Sequence, residues 1–140
     1  INKGAGSEKK QLNIYKSSNN LVSSSVLKPK THLEQHPEVL FDDGQTVIDI
    51  DRIDNMLEDI VPYNFMNVDV QGYELEVFKG AGIFLDKIDF IMTEVNREEV
   101  YENCCQVEEI DEYLAKYKFK RVESKWHGCW GDALYIKDKN

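Results

Sequence analysis

Two segments of this sequence place acidic and amide side chains at the ends of short apolar runs. Asp69 lies near the end of the run at 64–70, with Gln71 directly after it, and Glu94 lies near the end of the run at 88–95. A carboxylate can take the proton of a hydroxyl group, whereas an amide donates and accepts hydrogen bonds without charge. These residues therefore fit general base catalysis, with Asp69 or Glu94 as the base and Gln71 as an orienting group.

Each of the acids also has a structural interpretation, which the sequence leaves open. The carboxylate of Asp69 could cap the helix that follows it. Either acid could instead hydrogen-bond a substrate without taking a proton from it. Glu74 lies in the first turn of that helix, where a favourable interaction with the helix dipole would suffice to explain it.

The other potential reactive groups do not form a convincing motif. His32 and His36 have a spacing that can place two imidazoles on one helical face, but Pro37 follows and no third ligand is near, so we predict no metal site. His127 and Cys129 are equally weak as a pair. The serine run at 23–25 is not part of a Gly-x-Ser-x-Gly turn, which argues against a serine hydrolase.

The elements that must position these groups follow a strand–helix alternation. Strands are predicted at 12–15, 45–50, 64–70, 88–95, 119–125 and 132–137, and helices at 51–59 (with Ile60 on its apolar face), from Tyr73 to Phe84, and at 107–117. This alternation indicates a parallel sheet, while the short connection at 126–131 makes the last two strands an antiparallel hairpin. We predict one α/β domain, with a strand and loop region at 1–47 and a half-sheet at 48–140.

In such open sheets the ligand lies beyond the carboxyl ends of the strands. Three segments are expected to meet there: 69–74, 94–97 and the turn at 126–131, which carries Trp126, His127 and Trp130. An indole ring at this rim could stack on a sugar ring, although either tryptophan could instead close the core.

Composition narrows the functional classes. The net charge is −9, and residues 41–112 carry twenty acidic and four basic side chains, which argues against nucleic acid as a partner. No apolar run approaches the ~20 residues needed to span a membrane, and the first ten residues do not resemble a signal peptide. Vicinal Cys104 and Cys105 do not suit a disulfide framework, so we expect reduced, half-buried helix residues in a cytoplasmic protein.

A longer match carries the interpretation further. Residues 67–81 read Asn-Val-Asp-Val-Gln-Gly-Tyr-Glu-Leu-Glu-Val-Phe-Lys-Gly-Ala, which resembles the signature of FkbM-family methyltransferases at the fourth strand. Thr93-Glu94-Val95 is similar to that family's fifth strand, and 130–135 to the last strand of one subgroup. Segments 2–7, 23–25 and 46–57 also fall where the family has comparable segments.

The resemblance implies a fold, a cofactor and a set of site residues. The fold would be part of a class I, Rossmann-like sheet, and the activity would be transfer of a methyl group from S-adenosylmethionine to a hydroxyl of a glycan or small metabolite. The residues this implies are, for catalysis, Asp69 and Glu94; for the acceptor, Gln71, Tyr73, Glu74, His127 and Trp130; and for the cofactor, Asn2, Asp69 and Gln71.

Two departures from the family pattern matter. The family usually has Glu where this chain has Gln71, and its first strand and glycine-rich cofactor loop have no counterpart here. Gly4-Ala5-Gly6 and Gly80-Ala81-Gly82 fail the fuller loop pattern and are interpreted as turn glycines. We therefore expect the chain to be the C-terminal two-thirds of a methyltransferase domain, with roughly 70–110 further residues upstream.

The missing strand would lie beside the strand at 64–70, whose apolar edge should need an N-terminal segment or a partner chain to cover it. The alternative is a non-catalytic binding or interaction module that keeps the half-sheet alone. An acidic-x-Gly-x-x-x-Gly loop upstream would favour the enzyme, whereas a native start at residue 1 would favour the module.

The first prediction concerns the cofactor. Residues 1–140 alone should bind S-adenosylmethionine weakly or not at all, because the family's glycine-rich loop supplies the main contacts. Calorimetric titration of the purified chain tests this directly. A micromolar dissociation constant would contradict it.

Overall fold

The computed structural model of the protein describes residues 1–57 and 62–139 and divides their strands between two sheets. The smaller sheet contains β1 (Gly4–Ala5), β2 (Lys10–Ile14) and β3 (Thr46–Asp51) in the order β1-β3-β2. Strand β3 is parallel to β1 and antiparallel to β2. The predicted strands at 12–15 and 45–50 are therefore present with slightly shifted ends.

The larger sheet holds the chemically interesting segments. It contains β4 (Phe65–Val68), β5 (Phe90–Asn96), β6 (Phe119–His127) and β7 (Trp130–Lys137) in the order β4-β5-β7-β6. Strands β4 and β5 are parallel, and β7 runs antiparallel to both β5 and β6. The predicted α/β architecture with a C-terminal antiparallel hairpin is confirmed. Strand β7 lies between β5 and β6, the two strands whose carboxyl ends were expected to lie at the same edge of the sheet.

The helices are α1 (His32–Gln35), α2 (Ile53–Met56), α3 (Glu74–Ala81), α4 (Ile83–Lys87) and α5 (Val107–Ala115). The main core joins α3, α4 and α5 to the larger sheet, and its fully buried members include Phe78, Leu85, Ile91, Val95, Ile110 and Leu114. Because side chains alternate along a strand, Ile91 and Val95 face this core, whereas Glu94 and Asn96 face the opposite side of β5. That opposite side is where the candidate site forms.

The single helix predicted from Tyr73 to Phe84 is wrong. The structure has two helices that meet at Gly82, whose φ of 45° and ψ of −119° take the backbone out of helical conformation. Glycine adopts this conformation readily because it lacks a Cβ atom. The apolar pattern continued across the break, so periodicity alone could not reveal it.

The helix predicted at 51–59 is shorter among the described residues, ending at Met56. Residues 58–61, including the remainder of that prediction, lie outside the described part of the chain. The N-cap of this helix is Arg52, without a side-chain cap bond, and Asp51 is the last residue of β3. The Asp51 carboxylate accepts hydrogen bonds from the backbone nitrogen of Arg52 and the side chain of Asn55.

The turn between the last two strands is tighter than the predicted 126–131. Strands β6 and β7 pair up to His127 and Trp130, which leaves a two-residue connection at Gly128 and Cys129. Gly128 has a φ of 72°, a left-handed conformation that favours glycine in short hairpins. The longer strands carry His127 and Trp130 as a facing pair.

Three of the glycines interpreted as turn residues have a packing role instead. Gly4 lies in β1, and a Cβ atom on Gly6 would meet the side chain of Ile50 at 2.6 Å. Gly80 lies within α3, where a Cβ atom would approach the backbone oxygen of Gly6 to 1.9 Å. These glycines let the helix and the first segment of the chain come into backbone contact. Of these four glycines, only Gly82 lies at a turn, between α3 and α4.

The cysteine prediction is also corrected in part. Cys104, Cys105 and Cys129 are unpaired, as expected of reduced thiols, but all three are buried. Cys104 and Cys105 lie in the loop before α5, not in a helix. Burial raises the pKa of the Cys105 thiol to about 12, so this thiol stays protonated and unreactive near neutral pH.

The outer edge of β4 is bordered by apolar side chains. Within the described residues β4 pairs with β5 alone, and Phe65 on it is 52% exposed. A cavity of about 340 Å³ at this edge is lined mainly by apolar residues from the 1–3 segment, α2, β4 and α4. No helix in the described ranges is long and apolar enough to cross a membrane.

The second prediction concerns the Gly6–Gly80 contact. Gly80→Ala should destabilise the protein by more than ~2 kcal/mol, although alanine is the better helix former, because its methyl group would overlap the Gly6 backbone. Gly128→Ala is the control, since nothing lies within 4 Å of its Cβ position and only its positive φ costs, about 1 kcal/mol. Urea unfolding measures both, and equal losses would contradict the packing role.

Candidate functional site

The parallel pairing of β4 and β5 brings two carboxylates to one edge of the larger sheet. Asp69 follows directly after β4, and Glu94 lies near the end of β5. Oxygens of Asp69, Glu94 and the nearby Glu74 all lie within 4.8 Å of one another. The convergence expected from topology is therefore observed for these residues.

Gln71 bridges the two carboxylates. Its side-chain nitrogen lies 2.5 Å from Asp69 Oδ1 and 3.1 Å from Glu94 Oε2, and donates to both. Gln71 itself has a φ of 54°, and its backbone oxygen accepts a hydrogen bond from the Ser25 hydroxyl at 2.7 Å. The loop after β4 is thus held in an unusual conformation that directs this amide between the acids.

Glu74 keeps that loop in shape. Its side chain is fully buried, and Oε1 accepts hydrogen bonds from the backbone nitrogens of Val70 at 3.0 Å and Gly72 at 3.1 Å. The structure does not place Glu74 on the surface of the cavity described below, so its predicted contact with an acceptor is not supported. Asp69 makes no cap bond to α3, because its Oδ1 is engaged by Gln71.

Tyr101 lies behind the bridging amide. Its side chain is fully buried, and its hydroxyl oxygen lies 2.9 Å from Gln71 Oε1 and 2.9 Å from the backbone oxygen of Ser23. Sequence analysis missed Tyr101, because it lies in an irregular segment thirty positions after Gln71. A tyrosine between two acidic stretches was the one local signal.

The acids face a cavity of about 540 Å³. One wall consists of Asp69, Gln71, Glu94, Val100 and Trp130. The opposite wall comes from the region predicted only as polar loop and contains Ser18, Asn19, Val22, Ser23, His32, Gln35, His36, Glu38 and Val39. A cavity of this size accommodates a monosaccharide-sized ligand.

The two histidines of the loop wall are the functional candidates that sequence analysis set aside. His32 is 6% exposed, packs against Phe41 and Tyr101, and has no hydrogen-bond partner for Nδ1 among the described residues. Burial and the nearby His36 lower the pKa of His32, which favours the neutral ring. His36 is more exposed, with Nδ1 3.6 Å from a Glu38 oxygen. The His-x3-His spacing was the signal for this wall.

Asn96 is a further residue that the sequence did not single out. It is fully buried on the same side of β5 as Glu94, opposite Trp130 of β7, and neither polar atom of its amide has a partner among the described residues. An asparagine inside a largely apolar strand was the available signal. Leaving a buried amide unpaired costs about 1–3 kcal/mol.

Burial dominates the electrostatics of the acids. Burial first, then the charges of Glu74 and Asp69, together raise the pKa of Glu94 to about 8, against the hydrogen bond from Gln71, which lowers it. Burial likewise raises the pKa of Glu74 to about 7, opposed by its bonds to the loop backbone. These groups therefore titrate near neutral pH, where a proton acceptor is most useful.

The hairpin contributes one ring to the cavity. Trp130 lines it, and His127 stacks beside Trp130 with 4.9 Å between ring centroids, but His127 itself is exposed and outside the cavity lining. Trp126 packs against the main core, with the Arg97 guanidinium 3.6 Å from its ring centroid. The two tryptophans thus have different roles.

Two residues predicted from the resemblance lie elsewhere. Asn2 is exposed and sits between Ile1 and Lys3, which line the apolar cavity beside β4. Tyr73 lies on the far side of the loop, where its ring packs near Gly6 and its buried hydroxyl has no hydrogen-bond partner among the described residues. Neither joins the Asp69 cluster, because Tyr73 and Gln71 project from opposite sides of the loop.

The carboxylate oxygens of the Asp69, Glu74 and Glu94 cluster accept hydrogen bonds from groups of the protein itself. The Gln71 amide lies between Asp69 and Glu94, and the loop backbone saturates Oε1 of Glu74. One oxygen of each of the three acids thus already has a hydrogen-bond donor within the protein.

Comparison with known proteins identifies the family of this chain. The family model described as the methyltransferase FkbM domain matches residues 2–121, which include the whole smaller sheet, the loop that carries Gln71, and strands β4 and β5 of the larger sheet.

The chain belongs to the FkbM methyltransferase family.

One curated relative of this FkbM chain is "2-O-methyltransferase NoeI" from Sinorhizobium fredii (strain NBRC 101917 / NGR234), which is 31% identical over 120 residues. The alignment covers 84% of the chain and 48% of that relative, so the chain spans about half of the relative's length. No solved structure gives a significant match.

The third prediction concerns the pH dependence of stability in this FkbM chain. Between pH 5 and 8 the folded state keeps a proton on Glu94 that the unfolded state has released, so Glu94 makes the free energy of unfolding fall as pH rises. Neutral His32 acts in the opposite sense near pH 6.5. The free energy of unfolding of Glu94→Gln, taken relative to that of the wild type, should therefore be at least ~1 kcal/mol higher at pH 8 than at pH 5.

Urea unfolding at the two pH values measures this difference. Glu98→Gln, a change of the same type four residues along the chain, is the control. If both variants follow the wild-type pH dependence, Glu94 does not carry the raised pKa.

Proposed function

We propose that this chain forms the acceptor side of a S-adenosylmethionine-dependent O-methyltransferase acting on a hydroxyl of a glycan or small metabolite. The observation that carries the proposal is the Asp69–Gln71–Glu94 group, which faces a cavity of sugar-like size. Membership of a methyltransferase family supplies the reaction type, and the 2-O-methyltransferase name of one relative supports a hydroxyl as the acceptor.

The reaction needs a hydroxyl held in line with the methyl group and a group that removes its proton. Bound S-adenosylmethionine would supply an electrophilic methyl on sulfur. In this chain Asp69 or Glu94 accepts a hydrogen bond from the acceptor hydroxyl and takes its proton, while Gln71 holds the two carboxylates in place. The pKa of Glu94, raised to about 8, makes its carboxylate a stronger base than an ordinary one, and it acts as a base in the molecules in which it is ionised, increasingly so above neutral pH.

The cavity lining favours an uncharged acceptor. Its acidic members are Asp69, Glu94 and Glu38, and none of its lining residues is Lys or Arg. Anionic groups such as phosphates would therefore be repelled. Trp130 offers an apolar ring face, and the Ser, Asn, Gln and His side chains of the loop wall offer hydrogen bonds, which together suit a sugar ring.

The cofactor and the rest of the fold complete the proposal. We place the chain in a class I, Rossmann-like sheet, with Asp69 and Gln71 near the cofactor and a further strand beside the open edge of β4. That strand would come from an N-terminal segment or a partner chain, and it would cover Phe65 and its apolar surroundings. A cytoplasmic location fits the unpaired cysteines.

The fourth prediction tests the base in the enzyme that contains this chain. Glu94→Gln and Asp69→Asn should each lower kcat/KM by 10²-fold or more if the residue takes the proton, because both changes keep the shape and remove the basic group. Exposed Asp43, changed to Asn, is the matched control and should leave turnover intact. Transfer of radiolabelled methyl groups to glycan acceptors measures turnover.

The control on folding is the stability of Asp69→Asn, expected within ~1 kcal/mol of wild type. A large loss of stability with unchanged turnover per folded molecule would make Asp69 structural. Unchanged turnover in both variants would show that neither acid takes the proton. A wild-type enzyme that transfers no methyl group would leave a non-catalytic binding module as the better description.

The fifth prediction concerns the two tryptophans. Trp130→Ala should raise the KM of the acceptor several-fold more than that of S-adenosylmethionine, because Trp130 alone of the two lines the cavity. Trp126→Ala should lower stability without this selective change, since its ring packs on the core and Arg97. Equal effects of Trp130→Ala on both KM values would remove the hairpin from the acceptor site.

A further inference from the structure

The hydroxyl of Tyr101 has one hydrogen but two acceptors. Its oxygen lies 2.9 Å from the backbone oxygen of Ser23 and 2.9 Å from Gln71 Oε1. A phenol donates one hydrogen bond at a time, so one of these two oxygens is left without its donor. Tyr101 itself is fully buried, so its single hydrogen has these two oxygens to choose between.

Rotation of the Gln71 amide by 180° about its last side-chain bond removes this conflict. The amide nitrogen then donates to the Tyr101 oxygen, and the Tyr101 hydrogen goes to Ser23 without competition. The same rotation turns the Gln71 oxygen toward Asp69 and Glu94. An oxygen in that position is tolerable only if one carboxyl group carries a proton to donate to it.

The two amide orientations therefore correspond to two charge states of the acids. When Asp69 and Glu94 are both ionised, the Gln71 nitrogen donates to both, at 2.5 and 3.1 Å. When one of them holds a proton, the rotated amide accepts it, and Tyr101 accepts from the amide nitrogen. Tyr101 can serve both states because a hydroxyl is at once a donor and an acceptor.

We propose that Gln71 and Tyr101 form a two-state hydrogen-bond relay that lets the Asp69–Glu94 pair hold either no proton or one. Both are positioning residues, since they act through the two acids. The inference rests on the proposed function for its purpose: O-methylation breaks the acceptor O–H and the sulfur–methyl bonds and forms an O–CH₃ bond. The sulfur keeps the electron pair of its broken bond, and the proton goes to the Asp69–Glu94 pair.

The surroundings make such a relay necessary. The charged or titratable groups that face the pair, from the loop before α3, from β7 and from the cavity walls, are Glu74, Asp132, Tyr101, His32, His36 and Glu38. The neighbours that interact most strongly are acidic, and burial penalises a second negative charge. The pKa of Tyr101 is raised well above its usual value, so its hydrogen stays available for the relay.

Bond counting gives the sign of the test. Removing the Tyr101 hydroxyl costs the ionised state one hydrogen bond, because only one of its two bonds can exist at a time. It costs the singly protonated state two. Tyr101→Phe should therefore disfavour protonation and lower the apparent pKa of the pair by roughly half to one unit.

The test is a pH titration of this chain by NMR, which needs neither cofactor nor acceptor. Carboxyl carbon shifts report protonation of Asp69 and Glu94, and the side-chain amide signals of Gln71 report its orientation. In wild type the amide and carboxyl signals should share one midpoint. Tyr101→Phe should shift the carboxyl midpoint down, and Tyr113→Phe, in α5, is the matched control and should not.

Gln71→Met provides a second measurement if Tyr101→Phe fails to fold. It removes two bonds donated to charged carboxylates from the ionised state. From the protonated state it removes the bond accepted from the carboxyl group and the bond donated to Tyr101. Bonds to charged groups are the stronger ones, so the carboxyl midpoint should rise. Amide signals that ignore pH while the carboxyls titrate would overturn the relay, as would unchanged midpoints in both folded variants. Carboxyl shifts that respond to millimolar CaCl₂ instead of pH would make the pair a cation site and also overturn it.

The titration separates this inference from the proposed function. If the relay titrates as expected but the enzyme methylates no hydroxyl, the proposed function fails and the relay stands. If hydroxyls are methylated but the amide does not follow the carboxyls, the relay alone fails.

Discussion

The buried carboxylate of Glu74 is the contact on which the site depends. It accepts the backbone N–H groups of Val70 and Gly72 and so closes the loop between β4 and α3. That closure holds Gln71 at a positive φ and aims its amide between Asp69 and Glu94. Burying a carboxylate costs free energy unless it is hydrogen-bonded. The loop backbone supplies these bonds to Glu74, and the same bonds fix the shape of the loop.

The cost of this arrangement appears in the neighbouring groups. Glu74 contributes a negative charge next to Glu94, and burial removes the solvent that would screen it. A shape-keeping residue thus also tunes a candidate proton acceptor. From sequence alone, the Glu74 carboxylate could be structural or functional. In the structure it holds the loop through its hydrogen bonds, and its negative charge raises the pKa of Glu94.

Local patterns were enough to predict the larger sheet and half of the site. The run at 64–70 and the run at 88–95 each encode a buried strand, and the short connection at 126–131 requires a hairpin, so the meeting of Asp69, Glu94 and Trp130 follows from topology. These features depend on neighbours in the chain or on the rules of sheet connection.

The other half of the site depends on contacts between distant segments, which no local pattern records. Residues 18–39 have little periodicity, and the cavity wall that they form is held by hydrogen bonds to distant segments. The Ser25 hydroxyl donates to the backbone oxygen of Gln71, and the Tyr101 hydroxyl lies 2.9 Å from the backbone oxygen of Ser23. The helix break at Gly82 and the Gly6–Gly80 contact were not predicted for the same reason, since each depends on packing partners elsewhere in the chain. Tyr73 was misplaced because its neighbour Gly72 has a φ of 97°, and the chain turns there between the two side chains.

Gln71 is the position where this chain departs from the family it belongs to, and the geometry gives the departure a physical meaning. A glutamate at this position would add a fourth carboxylate to the group of Asp69, Glu74 and Glu94, within hydrogen-bond distance of Asp69. Such a set of acids needs additional protons or a cation to coexist in a buried space. The amide needs neither, because it donates to the ionised pair and its oxygen can turn to a protonated one. The substitution therefore keeps the spacing of the side chains while lowering the charge that the site must accommodate, and it leaves Asp69 and Glu94 as the two groups among which a single proton is shared.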